Sequence, residues 1–288
     1  MPFSFIILTY NSAPHIKELL DSLISVCSRE EGREYEIIVF DNNSTDNTTA
    51  IIEKYTSTIK LHKSKENLGY AKGINEASKY STGKYLVVIN PDAKMLDFDF
   101  EKIKNEFENE KNLAIAGLRI EDYRGVLEKS AGNFYNRITF LLYTLGLESI
   151  AGLRFASKKV KYVDFVSGGF VVFRKSLFEK LNGYDTDYFM YVEDMDICMR
   201  AKKEGLLVKL LPYAKIKHKG QGSSNRAFAI ANIYKGLILF YTKNKTGISL
   251  SYVRRLLRIK ATLIIFVSLI LGRKESVIEY RSALKLIS

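Results

Sequence analysis

A mainly parallel α/β domain is what this chain of 288 residues predicts, on three observations. Short apolar runs alternate with segments of helical period through roughly the first 90 residues. Each run stops in a cluster of Asn, Asp, Ser or Thr, the residues that close strands and cap helices. A composition of 47% hydrophobic and 26% charged residues is that of a folded chain and excludes disorder as the default.

In chain order, residues 3–9 read as a buried strand and 12–27 as a helix with Ile16, Leu19, Leu20, Leu23 and Ile24 on one face. Residues 35–40, 59–62 and 84–89 read as three more strands, with helices over 48–55 and 68–80 between them. Strands are expected at 113–120, 162–166 and 170–173, while 130–160 carry no clear signal and are expected to form a loop over the site. A helix continues the segment 188–205, strands follow at 206–211 and 214–217, and helices over 227–241 and 251–271 close the chain. The expected division is a catalytic domain, 1–225, and a helical appendage, 226–288.

The formal charge of +12 points to an anionic partner, and it is concentrated: residues 243–288 carry ten Lys/Arg against two Asp/Glu, so the tail holds +8 and the rest +4. Two cysteines, Cys27 and Cys198, are too few for a disulfide framework and read as core thiols in a reducing compartment. The N-terminal apolar run has no positive flank, so export is not expected. The longest uncharged stretch, 261–272, falls short of the roughly 20 residues a spanning helix needs.

Ligands in parallel α/β sheets bind outside the carboxyl ends of the strands. Three such ends are polar here: Thr9-Tyr10-Asn11, Asp41 to Asp46 (DNNSTD) and Asn90-Pro91-Asp92. Asp41 can accept a hydrogen bond from a base or ribose, although the segment also reads as a capped turn. The run Asn67 to Gly73 (NLGYAKG) opens a helix where glycines admit close backbone approach and Lys72 can reach a phosphate, or it is a capped helix with a solvated lysine. No G-x-G-x-x-G or G-x-x-x-x-G-K-[ST] stands at a strand-to-helix turn, which disfavours a Rossmann site and a P-loop. Asp92, held by a proline turn, suits a hard cation bridging a diphosphate. Glu193, Asp194 and Asp196 form the densest acidic cluster. Ordinary dipole stabilisation explains acids at a helix start, but a carboxylate among Phe189 and Tyr191 is also what a general base requires. His218 reads equally as a metal or pyrophosphate contact and as a structural donor.

The motifs TYN, DNNSTD, NLGYAKGIN, NPDA, VSGGFVVFR, GYDTDYFMYVEDMDICMR and HKGQGSS, taken in order over about residues 3–224, resemble the family 2 glycosyltransferases of GT-A fold, and among them a bacterial rhamnosyltransferase-like branch. The resemblance implies that Thr9, Tyr10, Asn11, Asp41, Ser44, Asn67, Gly69, Lys72 and Asn90 border the donor nucleotide. It implies Asp92 as the carboxylate of the D-x-D metal motif, with Asn90 in place of its first Asp, and His218 as a further metal or diphosphate contact, the metal being Mg²⁺ or Mn²⁺. Gly168 and Gly169 look like the acceptor-side wall, Asp194 like the catalytic base and Glu193 its neighbour. The implied chemistry is inverting transfer from dTDP-rhamnose or a UDP-sugar to a glycan or lipid-linked glycan acceptor.

In the tail, Tyr252, Val253, Leu256, Leu257, Leu263, Ile264 and Val267 share a helical face with Arg254, Arg255 and Arg258 opposite. That pattern suits an amphipathic helix on an anionic membrane, and equally a helix packed on the domain or in a homodimer. The expected place is the cytoplasm, peripheral on the inner face of the cell membrane. Two other functions compete. A nucleotidyltransferase needs a basic motif after the first strand, which Thr9 to Ala13 lacks. A nucleic-acid-binding protein would use the charge, but no recognised motif accompanies it, and nucleic acid is not an expected partner.

Overall fold

The computed structural model describes residues 2–29, 35–147, 152–219 and 225–287. The chain runs β1 (Phe3–Thr9), α1 (Ile16–Ser28), β2 (Tyr35–Asp41), α2 (Thr48–Ile52) with a 3-10 turn (Glu53–Tyr55), β3 (Lys60–Lys63), α3 (Tyr70–Ser78) and β4 (Tyr85–Ile89). It continues with β5 (Ala93–Phe98), α4 (Phe100–Asn109), β6 (Leu113–Glu121), β7 (Ala131–Gly132), α5 (Arg137–Thr144), β8 (Arg154–Phe155), β9 (Lys161–Tyr162), β10 (Phe165–Val166) and β11 (Phe170–Arg174). Last come α6 (Lys175–Lys180), α7 (Glu193–Lys203), β12 (Leu207–His218), α8 (Arg226–Lys243), α9 (Leu250–Ile270) and α10 (Lys274–Leu284).

The main sheet has the order β3-β2-β1-β4-β11-β6-β12-β5, with β9 on the side of β12. Its first four strands are parallel; β11 enters antiparallel between β4 and β6, and β5 is antiparallel to β12. Every residue of β1, β4 and β11 is buried, so uninterrupted apolar runs serve where alternation would suit a half-exposed strand. Apolar layers cover both faces. This is the GT-A arrangement, a central α/β sheet between helices with further helices at the C-terminus. Both cysteines are free and buried, and burial alone pushes the Cys27 thiol up to about 12.

Three departures from the sequence expectation have physical causes. Residues 130–160 are not a structureless loop: β7, α5 and β8 lie there, and β7 joins β8 and β10 in a small second sheet. Strands of two residues are too short to show a period. The two strands expected at 206–217 are one, β12, whose pairing with β6 slips between Leu210 and Lys215, around a Pro212 that has no N–H to donate.

The third departure is the tail. Val253, Leu256 and Leu257 of the expected membrane face are buried in the same apolar layer as α7, and Tyr234, Leu237 and Phe240 of α8 join them. Leu263 and Val267, expected on that face, are exposed. Among the described residues no helix is long and apolar enough to cross a membrane.

Candidate active site

Because Thr9 and Asp41 are in register at the ends of the adjacent strands β1 and β2, their side chains meet. Thr9 Oγ1 donates to Asp41 Oδ1 at 2.9 Å, Ser44 Oγ to the same oxygen at 2.6 Å, and the Ser44 amide to Oδ2 at 2.9 Å. The Asn11 amide donates to Ser44 Oγ at 2.9 Å, and Asn11, in left-handed backbone, accepts from the Thr45 amide at 2.8 Å. The two loops are therefore stitched together, and among the described residues Asp41 Oδ2 accepts only from the Ser44 amide, which leaves it room for a further donor.

Beside them lies a cavity of about 360 Å³, bordered by Tyr10, Asn67, Gly69 and Asn90 of the expected donor set. Thr9, Asn11, Asp41 and Ser44 support it from behind. Asn42, which the sequence reading passed over inside DNNSTD, ties the wall to α3: its amide nitrogen donates to Asn67 Oδ1 at 2.9 Å and to the Gly69 carbonyl, and its oxygen accepts from the Leu68 amide at 2.9 Å. Gly69 precedes α3 at φ +78°, and a Cβ there would stand 2.5 Å from the Phe189 carbonyl. Only glycine lets these segments touch.

Lys72 does not join the site. Two residues after the cavity-lining Tyr70 it lies about 200° round the helix, in a separate groove with Glu76, Phe178 and Asn182.

Behind the cavity's Tyr70 and Asn90 stands Gly168, which with Asp194 lines a separate narrow void and not the cavity itself. Its amide donates to Asp194 Oδ2 at 3.1 Å, and its carbonyl accepts from Tyr70 Oη at 3.0 Å, while Tyr70 Oη also reaches Asn90 Oδ1 at 3.3 Å. The Gly169 carbonyl accepts from the Asn90 amide at 3.1 Å. Gly168, Gly169, Asn90 and Asp194 are thus brought together, with Tyr70 as the link that sequence reasoning missed. Phe189 and Phe228, edge to face at 6.1 Å, border the cavity from the loop before α7 and from α8. Phe228 lies in the segment expected to be an appendage, and no sequence signal ties it to the pocket.

The acidic cluster divides by environment. Asp196 is structural: it accepts from Arg200 Nε at 2.7 Å, Asn244 Nδ2 at 2.8 Å and Tyr188 Oη at 3.2 Å. Glu193 is buried, and its Oε2 has no hydrogen-bond partner. Burial, and then the neighbouring Asp194 charge, drive its carboxyl well above the usual carboxylate range. Asp194 is also raised by burial, but the Gly168 and Met195 amides and the Arg154 charge hold it back. The hydrogen-bond donors of the pair gather on Asp194, which accepts from the Gly168 and Met195 amides, while Glu193 Oε2 has none among the described residues. Both follow a turn in which Tyr191 and Val192 have φ of +69° and +73°, a costly conformation, above all for a β-branched residue.

Asp92 and His218 are brought together from opposite ends of the chain. His218 Nε2 lies 3.3 Å from Asp92 Oδ1, and Nδ1 lies 3.3 Å from Glu128 Oε1, a partner no sequence pattern marks. Burial opposes the charged forms, yet the ion pair holds Asp92 below its ordinary value and the two carboxylates bring His218 to about 10. Beyond this 3.3 Å ion pair Asp92 Oδ1 has no partner among the described residues, and there no group of three or more His, Cys, Asp and Glu gathers to hold a metal. A buried carboxylate whose oxygen faces only an imidazole ring, itself oriented by a second carboxylate, fits a divalent cation completed by ligand phosphates, with the ring giving up its proton as the cation enters. The glycines after Lys219 lie outside the described residues.

A sheet of this topology, with a cavity at its carboxyl edge lined by aromatic and amide side chains and a carboxylate raised by burial behind it, has the arrangement of the GT-A fold. The family model described as glycosyl transferase family 2 matches residues 4–181, and the chain belongs to that family. A second, described as the N-terminal domain of galactosyltransferase, matches residues 149–220. The N-acetylglucosaminyl-diphospho-decaprenol L-rhamnosyltransferase of Mycobacterium tuberculosis is 25% identical over 83% of this chain and 83% of its own length. The rhamnosyltransferase WbbL of Escherichia coli is 26% identical over 77% and 85%. Among solved structures, the mannosyltransferase PcManGT from Pyrobaculum calidifontis in complex with GDP-Man and Mn²⁺ superposes with a TM-score of 0.60 at 17% identity, covering 99% of this chain and 83% of that one. S. aureus TarS 1-349 in complex with UDP-GlcNAc gives 0.54 at 20% identity, over 89% and 70%.

Proposed function

We propose that this glycosyltransferase moves a sugar, rhamnose before others, from a nucleoside diphosphate to a hydroxyl of a lipid-linked or polysaccharide acceptor, with inversion, at the cytoplasmic face of the membrane. The two rhamnosyltransferase relatives, each covered over most of its length, support the donor and the acceptor class. The observation that carries the chemistry is Asp194, pinned by the Gly168 amide at 3.1 Å and raised by burial, behind the Tyr70 and Asn90 that border the cavity.

In this reading Tyr10, Asn67, Gly69 and Asn90 border the donor, and Thr9, Asn11, Asp41 and Ser44 fix the base and ribose side. Asp194 takes the proton of the acceptor hydroxyl as its oxygen bonds to the anomeric carbon. The bond from that carbon to the diphosphate oxygen breaks on the opposite face, and the nucleoside diphosphate leaves with the electron pair. One carboxylate suffices, unlike the paired carboxylates of glycoside hydrolysis. Asp92 and His218 would hold Mg²⁺ or Mn²⁺, whose charge offsets that of the leaving diphosphate. Glu193, kept neutral by burial, leaves Asp194 as the ionised partner.

Thermal unfolding against dTDP-rhamnose, UDP-sugars, nucleoside triphosphates and DNA, each with and without Mn²⁺, tests this reading. A ligand at 100 times its Kd stabilises by about 2.7 kcal/mol. A rise in Tm is expected with sugar nucleotides, dTDP-rhamnose foremost, and enhanced by Mn²⁺. A rise with triphosphates or DNA alone would replace this function with nucleotidyl transfer or nucleic-acid binding.

A further inference from the structure

We infer that the outer face of α9, with the exposed side of α5 beside it, is a docking surface for an anionic lipid bilayer. Twelve large aliphatic side chains stand exposed among the described residues, and all but Val126 lie on α5, α9, α10 or directly after α5 and α9. Phe266, 62% exposed, and Ile270, 69% exposed, are at the centre of this concentration. Single exposed apolar residues are ordinary; such a concentration marks an interaction surface.

The geometry makes the surface continuous with the domain. Along α9, Arg255, Ile259, Phe266 and Ile270 recur at spacings of four, seven and four residues, one stripe at 100° per residue, while Val253, Leu257 and Ala261 are buried on the other side. Tyr252 Oη donates to the Arg137 carbonyl at 3.0 Å, and Lys260 Nζ to the Tyr143 carbonyl at 3.1 Å. These bonds set α5 alongside the first half of α9 and running in the same direction. The segment that carries α5 leads through β8 and β10 to Gly168, so a bilayer on this face lies against the chain that ends behind the cavity's Tyr70 and Asn90.

Charge selects the occupant. Residues 243–288 carry ten Lys/Arg against two Asp/Glu, and Arg255 stands at one end of the apolar stripe with Arg273 and Lys274 just beyond the other. A second copy docked by a two-fold axis would set this excess of positive charge against itself. Phosphate headgroups meet it, and long basic side chains keep their heads at that level while apolar neighbours enter the acyl boundary.

Sedimentation of the full chain with vesicles of phosphatidylcholine alone, or with one-third phosphatidylglycerol, tests this without any substrate, so its outcome is independent of the donor and acceptor proposed above. The wild type should sediment with the anionic vesicles and far less with the neutral ones. Phe266→Asp/Ile270→Asp should lose about tenfold or more of that binding, and so should Arg273→Glu/Lys274→Glu. All four side chains are exposed, so the variants should keep the wild-type Tm, and loss of binding then reports the surface. Wild-type protein that ignores both vesicles, binds them equally, or forms a dimer that Phe266→Asp dissociates would overturn the inference. Full binding by the Phe266→Asp/Ile270→Asp variant would do the same.

Discussion

Asp41 and Asp194 stand behind the lining of one cavity, Asp41 next to Asn42 and Asp194 through Gly168 and Tyr70, and their surroundings differ in kind. Asp41 is buried at a strand end and accepts from Thr9 and twice from Ser44. Asp194 accepts, among the described residues, only from the Gly168 and Met195 amides, adjoins a buried carboxylate with an unpartnered oxygen, and lies in the first turn of a helix reached through two left-handed residues. Among the described residues no buried side-chain polar atom before Asp92 lacks a hydrogen-bond partner, whereas Tyr184 Oη, beside Gly168, and Glu193 Oε2, next in chain to Asp194, both do. A wall that only binds can be fully satisfied in advance. A wall that must accept a proton holds desolvated, strained groups whose cost the rest of the fold offsets.

That contrast can be broken from either side. On the satisfied side, Glu36 of β2 stands beside Ser4 of β1, toward the amino ends of the strands, and accepts from Ser4, Thr82 and Lys60. Burial opposes its ionisation, but these donors outweigh it and bring the carboxyl down to about 2. A depressed carboxyl stabilises the fold above its unfolded value, near 4.3, and the gain is lost as pH falls through about 2. Glu36→Gln should therefore cost about 1–2 kcal/mol at neutral pH, less than the full shift because Lys60 is half exposed and screened, with the gap to wild type closing in acid and the per-molecule transfer rate unchanged. Chemical denaturation from pH 7 to pH 2 reads it; a gap that widens in acid contradicts the assignment.

A smaller effect tests the strained turn. A Cβ on Gly236 of α8 would stand 2.8 Å from the Tyr191 carbonyl and 2.8 Å from a Val192 methyl. Gly236→Ala should push the turn that launches Asp194, lowering kcat by roughly tenfold, as small misplacements do, with donor KM nearly unchanged. An equal change in KM would instead place Gly236 on the binding wall. The smallest effect is expected at Tyr184, whose buried hydroxyl has no partner. Tyr184→Phe removes a polar group already deprived of water and should leave Tm level or slightly higher, within about 1 kcal/mol. A loss of 2 kcal/mol or more would reveal a partner for that hydroxyl.

Legibility in the sequence follows the same division. The parallel half could be read because buried strands are unbroken apolar runs and their ends carry the polar residues that meet at the crevice. Residues 93–109, which form β5 and α4, went unassigned, β7 and β8 are too short to show a period, and the one strand expected over 162–166 is two short ones, β9 and β10. Asp92 and His218 were each marked, but only the fold sets them 3.3 Å apart and adds Glu128. Lys72 was misplaced because a motif gives order along the chain and not the side of the helix. Phe228 and Gly236 shape the site from α8, where sequence saw only an appended helix. The tail's apolar positions were read as one face, whereas packing buries the first half of them and exposes the second.

The most direct test of the account is Asp194→Asn, assayed for transfer with donor affinity and Tm measured on the same protein. The variant keeps the side-chain volume and removes the proton acceptor. It should fold with wild-type Tm, bind the sugar nucleotide within about twofold, and transfer roughly 10² to 10⁴ times more slowly. The wild type should lose activity in acid at a pH above the ordinary aspartate value, because burial raises Asp194. A folded variant that transfers at close to the wild-type rate would contradict the assignment of the base and, with it, the contrast between the two walls.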